Sequence, residues 1–165
     1  MRNLKITVVL ALTGLMLSCS PQKQEERKDY LHQIDSLLTE LRILDDSLNT
    51  LNIREVQRIN DSLSLYYDTT QVQDTQERKF RLYEQSRDIL QWYGNVNREI
   101  NYSRSHLRAL KDEFKNPDIP DSTKRKKLQK EKQIIVSIQE RFDEEYESLG
   151  KEVKELLNSQ QHTDE

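Results

Sequence analysis

Glycine and proline are nearly missing, with three of each in 165 residues. Tight turns and strand connections draw heavily on these two residues, so their scarcity excludes a β-sandwich or a loop-rich α/β domain and favours long helices. There is a single cysteine, Cys19, so no disulfide can close within the chain. The three histidines, His32, His106 and His162, have no second His or Cys three or four positions away, and zinc spacing is therefore absent. Carboxylates are plentiful, but in a chain with 33% charged residues, pairs at ligand spacing along a helix arise by chance. No Gly-rich phosphate loop or G-x-S-x-G elbow occurs. These absences predict a protein that is not an enzyme and has no cofactor, no metal and no small-molecule substrate.

Charge of one sign is also lacking. Lys and Arg number 26 against 29 Asp and Glu, a balance that argues against a nucleic-acid partner. The mean hydropathy of -0.93 would suit a disordered chain, but disorder usually couples low hydropathy to a high net charge, and here the net is only -3. Periodicity has to decide between the two.

The longest apolar run, Ile6 to Leu17, is interrupted only by Thr7, Thr13 and Gly14 and is too short to span a bilayer. Arg2 and Lys5 precede it, which is the layout of a secretory leader. Its end, Leu15-Met16-Leu17-Ser18-Cys19, resembles the lipobox of bacterial lipoproteins, in which a small residue precedes the cysteine and an aliphatic residue stands three positions before it. Met16 holds that aliphatic place, a departure from the usual pattern. The resemblance implies cleavage before Cys19, acylation of its thiol and often of the new amino terminus, and an address at the bacterial cell envelope, at the outer rather than the inner membrane. Each buried CH₂ contributes roughly 0.8 kcal/mol, so two or more acyl chains anchor stably. Gln22-Lys23-Gln24-Glu25-Glu26 is similar to the charged export signal that follows the cysteine in surface lipoproteins of the Bacteroidota. On this reading residues 1–18 are the leader, 19–26 a lipidated linker, 27–158 a helical bundle and 159–165 a disordered tail.

Three apolar stripes carry the fold. In the first, Leu31, Ile34, Leu37, Leu38, Leu41, Leu44, Leu48, Leu51, Val56, Ile59, Leu63 and Tyr66 follow helical steps, with one step of five from Leu51 to Val56. Ile43, Ile53 and Leu65 fall outside that stripe. The triplet Asp-Ser-Leu recurs at 35–37, 46–48 and 61–63, its leucines reading as core and its Asp-Ser pairs as solvated flank. In the second, Leu82, Ser86, Ile89, Tyr93, Val96, Ile100, Ser103, Leu107, Leu110 and Phe114 alternate steps of four and three without interruption, a heptad seam made for a helical partner in this chain or another. The third holds Leu128, Ile135, Ile138, Phe142, Tyr146, Leu149, Val153 and Leu156.

Pro117 and Pro120 place a boundary between Asn116 and Asp121, because the residue before proline is steered away from helical geometry. The other boundary is softer: Asp68 to Asp74 has no Gly or Pro, and Asp74 with Glu77 forms a capping-box-like start. The spacing predicts helices over about 27–67, 75–115 and 122–158, an all-α, elongated, antiparallel three-helix bundle or coiled coil with rods of about 60 Å at 1.5 Å per residue. A core this thin leaves self-association open.

Two features stand out as contact candidates. Lys124, Arg125, Lys126, Lys127, Lys130 and Lys132 concentrate positive charge at a helix N-terminus, where the macrodipole disfavours it. They could meet anionic headgroups or cell-wall polymer, or pair with the acidic stretch Glu140 to Glu147 of a neighbouring copy or with the first helix. Trp92 and Tyr93 beside Gly94 read first as core filling with a tolerated glycine, and otherwise as a docking point, a kink or a close backbone approach. Together these observations predict a membrane-anchored envelope lipoprotein serving as a non-catalytic structural or protein-interaction module. The alternative is a periplasmic holdase-like chaperone or amphiphile-binding helical protein.

Overall fold

The computed structural model describes residues 21–69 and 77–161, and among them every regular element is a helix: α1 Pro21–Leu48, α2 Ile53–Thr69, α3 Glu77–Glu113 and α4 Asp121–Gln161. The leader, Cys19, Asp74 and residues 162–165 lie outside the described residues. Among the described residues, no helix is long and apolar enough to cross a membrane.

The helices form a bundle. Its interhelical pairs fix the directions. Asp35 meets Lys111, Asp45 meets Arg104 and Asn60 meets Ser86, so α1 and α2 both run antiparallel to α3. Glu99 meets Arg141 and Glu113 meets Lys127, so α3 runs antiparallel to α4. The α3 heptad is covered from within the chain: Leu82, Ser86, Ile89, Val96, Ile100, Ser103, Leu107, Leu110 and Phe114 are buried, and Tyr93 is half-buried. Of the three apolar residues outside the first stripe, Ile43 and Leu65 are exposed and Ile53 packs partly against the core. The Asp-Ser-Leu triplets divide as expected, with Leu37 and Leu48 buried, Leu63 half-buried, and Asp35, Asp46 and Asp61 exposed.

The helix expected over 27–67 is two helices. The chain leaves α1 through tightened turns, Thr50 N to Ser47 O at 3.0 Å and Leu51 N to Leu48 O at 3.1 Å, and re-enters at Asn52, whose carbonyl accepts from the amides of Glu55 and Val56. This is where the five-residue step fell. The apolar stripe continues across the break at Asn49–Asn52, with Leu48 before it and Val56 after it both buried. Asparagine is also among the preferred helix N-caps. Tyr146 of α4 stitches the break: the Ser47 carbonyl accepts from the hydroxyls of Thr50 (2.8 Å) and Tyr146 (3.1 Å), whose oxygens lie 2.7 Å apart.

Two further boundaries differ from expectation. The stretch 21–26, read as linker, is the first part of α1, since proline is pre-organised for a first helical position and the Gln/Lys/Glu residues after it are good helix formers. Ser159–Gln161, read as tail, continues α4. At the proline turn, α3 ends at Glu113 and tightens through Lys115 and Asn116, the Asn116 side chain accepts from the Asp118 amide at 2.9 Å, and the Pro120 carbonyl accepts the first amides of α4.

Candidate functional site

The α4 stripe contains a gap of seven between Leu128 and Ile135, and its missing heptad position is Glu131; one heptad earlier stands Lys124. Both are buried, at 2% and 3% exposure. The seam of α4 therefore carries two charges. Lys124 corrects its assignment to the exposed basic run: it occupies a seam position, its side chain is covered, and its ammonium lies 4.0 Å from Asp121 Oδ1. Asp121, in the first turn of α4, also complements the helix dipole. Continuity of the heptad through polar positions would have revealed both residues; counting apolar residues alone passes over them.

Glu131 Oε1 lies 2.8 Å from His106 Nδ1. Its Oε2 is buried and is the one such side-chain atom among the described residues without a hydrogen-bond partner. The His106 ring, about half exposed, stacks on Tyr102 at 6.1 Å between centroids with 19° between planes. One buried carboxylate thus holds an imidazole, and the imidazole supports an exposed tyrosine.

The remainder of the basic run is on the surface. Arg125, Lys126, Lys127, Lys130 and Lys132 are exposed. Lys127 pairs with Glu113 of α3, while among the described residues no carboxylate lies within ion-pair reach of the other four. The acidic stretch Glu140 to Glu147 sits farther along the same helix and does not pair with the run within this chain; Glu145 instead accepts from Trp92 Nε1. Arg125 and Lys132 share a shallow groove with Asp29, Tyr30 and Gln33, so this basic face adjoins the early part of α1.

Trp92 and Tyr93 are both half-buried and pack within the bundle, in keeping with core filling. Trp92 is half-buried, lies 6.1 Å from Phe142, and packs against both of the bundle's apolar clusters. Tyr93 packs against one of them. Phe142 stacks in turn on Tyr146 at 4.7 Å, so an aromatic chain runs from Trp92 to the break between α1 and α2. Gly94 sits within the uninterrupted helix α3, and a Cβ built there meets nothing within 4 Å, so no close backbone approach explains it.

Between α3 and α4 lies a groove of about 690 Å³, lined by Arg98, Glu99, Tyr102 and Ser103 from one helix and by Lys130, Gln133, Ile134, Ser137, Ile138 and Arg141 from the other. Its floor is largely apolar. Tyr102 is 68% exposed beside it, a large side chain left uncovered by the fold. Arg141 is occupied by Glu99, whereas Arg98 and Lys130 have no carboxylate partner among the described residues. Sequence periodicity could not find this groove, because it forms from the flanks of two seams whose relative rotation is set only by packing. No family model matches the chain, and no curated protein or solved structure compared with it matches either.

Proposed function

We propose that the protein is a bacterial envelope lipoprotein, tethered through acyl chains on Cys19, whose bundle is a non-catalytic module for structure and protein interaction. The observation that carries this reading is the coincidence of anchor and charge. Helix α1 begins at Pro21, two residues beyond the lipobox cysteine, and the exposed cations Arg125 and Lys132 adjoin the early part of the same helix. An anchor at that end would bring those cations close to the anionic headgroups of a bilayer, where each basic residue near the surface adds about 1 kcal/mol of attraction.

We further read the bundle as an elongated antiparallel coiled coil of three rods, the first of them broken at 49–52. The serial antiparallel pairs from Glu113–Lys127 to Gln85–Glu152 along α3 and α4 support it. A rigid rod of this kind suits holding or spacing partners at a membrane.

The anchor is tested by expressing the full chain in a bacterium with lipoprotein processing, fed an alkyne analogue of palmitate. The expected result is a labelled protein in the membrane fraction, and an unlabelled, membrane-released protein for Cys19→Ser. A wild type that carries no label would overturn the reading.

A further inference from the structure

We propose that the groove between α3 and α4 binds a single-chain amphiphile with an anionic head, a fatty-acid anion, with the head at Lys130 and the chain lying along Ile134, Tyr102 and Ile138. This goes beyond the structural role above and does not depend on the anchor at Cys19.

Three observations select the ligand. First, the floor is apolar and the volume of about 690 Å³ falls in the range of small-molecule sites, so an all-polar ligand such as a cell-wall polymer would leave that surface uncompensated. Second, the charge on the rim is cationic. Glu99 is neutralised by Arg141, leaving Arg98 and Lys130 as the unpaired charges of the groove. Third, the two ends are not equal. The α3–α4 pairs Glu99–Arg141 and Glu113–Lys127 put Arg98 and Arg141 together at one end and Lys130 toward the other. At the Arg98 end a carboxylate, Glu99, lines the groove. At the Lys130 end no carboxylate lines the groove, Gln133 adds an amide donor, and Lys126 lies one turn earlier on the same basic face. An anion is therefore held best at Lys130.

From Lys130 to Arg141 the groove runs along eleven residue steps of α4, about 16 Å at 1.5 Å per residue. That is room for one extended chain over Ile134, Tyr102 and Ile138, ending against the aliphatic stem of Arg98. A lone chain fits a slot between two helices, whereas a bilayer needs a flat face. Tyr102 is held from behind by the His106 ring, itself fixed by Glu131, so one wall of the slot is pre-organised.

The test uses the full chain in a neutral maltoside detergent, photolysed with a diazirine-bearing palmitate. Saturable labelling of the peptides holding Tyr102 and Ile134–Ile138, displaced by unlabelled palmitate, is expected. Lys130→Glu should cut the yield at least tenfold, and Tyr102→Ala severalfold. Lys132→Glu, the same charge change on the α1 side of α4, should leave it within twofold. All three residues are exposed, and equal helicity of the variants by circular dichroism checks that the fold is intact. Equal labelling by a diazirine-bearing hexadecanol would overturn the head assignment and with it the proposal. So would labelling spread evenly over Ile43, Leu65 and the groove, or no labelling, the last being the result if an acidic protein helix is the occupant.

Discussion

Around α1 the core includes the rings of Tyr30, Phe114 and Phe142, with Tyr30 edge-on to Phe114 at 6.0 Å, among the aliphatic residues of three helices. Around α2 the described buried apolar side chains are Val56, Ile59, Leu82, Ile89, Leu149, Val153 and Leu156, all aliphatic. The polar links differ as well. The α1 end is crossed by ion pairs, Arg104–Asp45 at 2.8 Å and Lys111–Asp35, and by the His106–Glu131 contact, whereas the α2 end is crossed by neutral hydrogen bonds, Ser86 to Asn60 at 3.1 Å and Gln85 to the Glu152 carbonyl at 3.4 Å. Between them stand Leu51 and Trp92, which pack against both clusters. A break in one rod thus divides a single seam into two regions of different composition, and the larger, aromatic one should set the stability of the whole.

The strongest way to break this comparison is to hollow out each end. Phe114→Ala should cost about 3–5 kcal/mol and lower the denaturation midpoint of the whole protein, because the ring is fully buried at the junction of α1, α3 and α4. Ile59→Ala should cost about 2–5 kcal/mol locally, and hydrogen exchange should then speed up in α2 while the amides around Leu41 and Leu107 stay protected. If α1 and α2 lose protection together, the two ends are one cooperative unit and the distinction fails.

The buried charge sharpens the comparison next. His106→Ala leaves both Glu131 oxygens without a partner and should destabilise by about 1–3 kcal/mol. Glu131→Leu removes the buried carboxylate, completes the α4 seam and should stabilise by about 1 kcal/mol or more, since apolar replacements of buried charges are often neutral to favourable. Thermal unfolding of the two variants should therefore move in opposite directions. Movement in the same direction would mean that Glu131 has a stabilising partner beyond His106.

Gly94→Ala tests the middle of α3. With open space where its Cβ would go, the substitution should add about 1 kcal/mol, and Gly150→Ala in α4 should do the same. Tyr146→Phe should cost about 1 kcal/mol by releasing the Ser47 carbonyl from one of its two donors, and should raise exchange at Asn49–Asn52 before anywhere else.

The smallest effect lies at the exposed end of α3. A hydrogen bond from Lys115, and then its charge, hold the Asp112 carboxyl below the usual carboxylate range. A depressed folded pKa contributes stability above the unfolded value, which fades as pH falls through the folded one. NMR titration should find Asp112 ionising below ordinary aspartates at low salt and returning toward them at high salt, with little change in overall stability.

The α3 seam was legible residue by residue, because steps of four and three are a property of one helix. The proline boundary was legible for the same local reason. The break at 49–52 left only a trace, the single five-residue step, which reads equally as tolerance in a continuous stripe. The partners of Trp92, Phe142 and Glu145, were not legible because they lie about fifty residues away. Lys124 and Glu131 were missed because periodicity was counted in apolar residues, although the seam continues through them.

By itself the sequence determined that the described chain is helical, which positions turn inward and where proline ends a rod, since propensity and periodicity act within a few residues. Only the tertiary structure decided that the heptad of α3 is covered from within the chain, that a lysine and a glutamate enter the seam, and that α3 and α4 leave an apolar, cation-rimmed slot between them. Those outcomes depend on the rotation and register of one helix against another, and these are set by the fit of side chains distant in the chain.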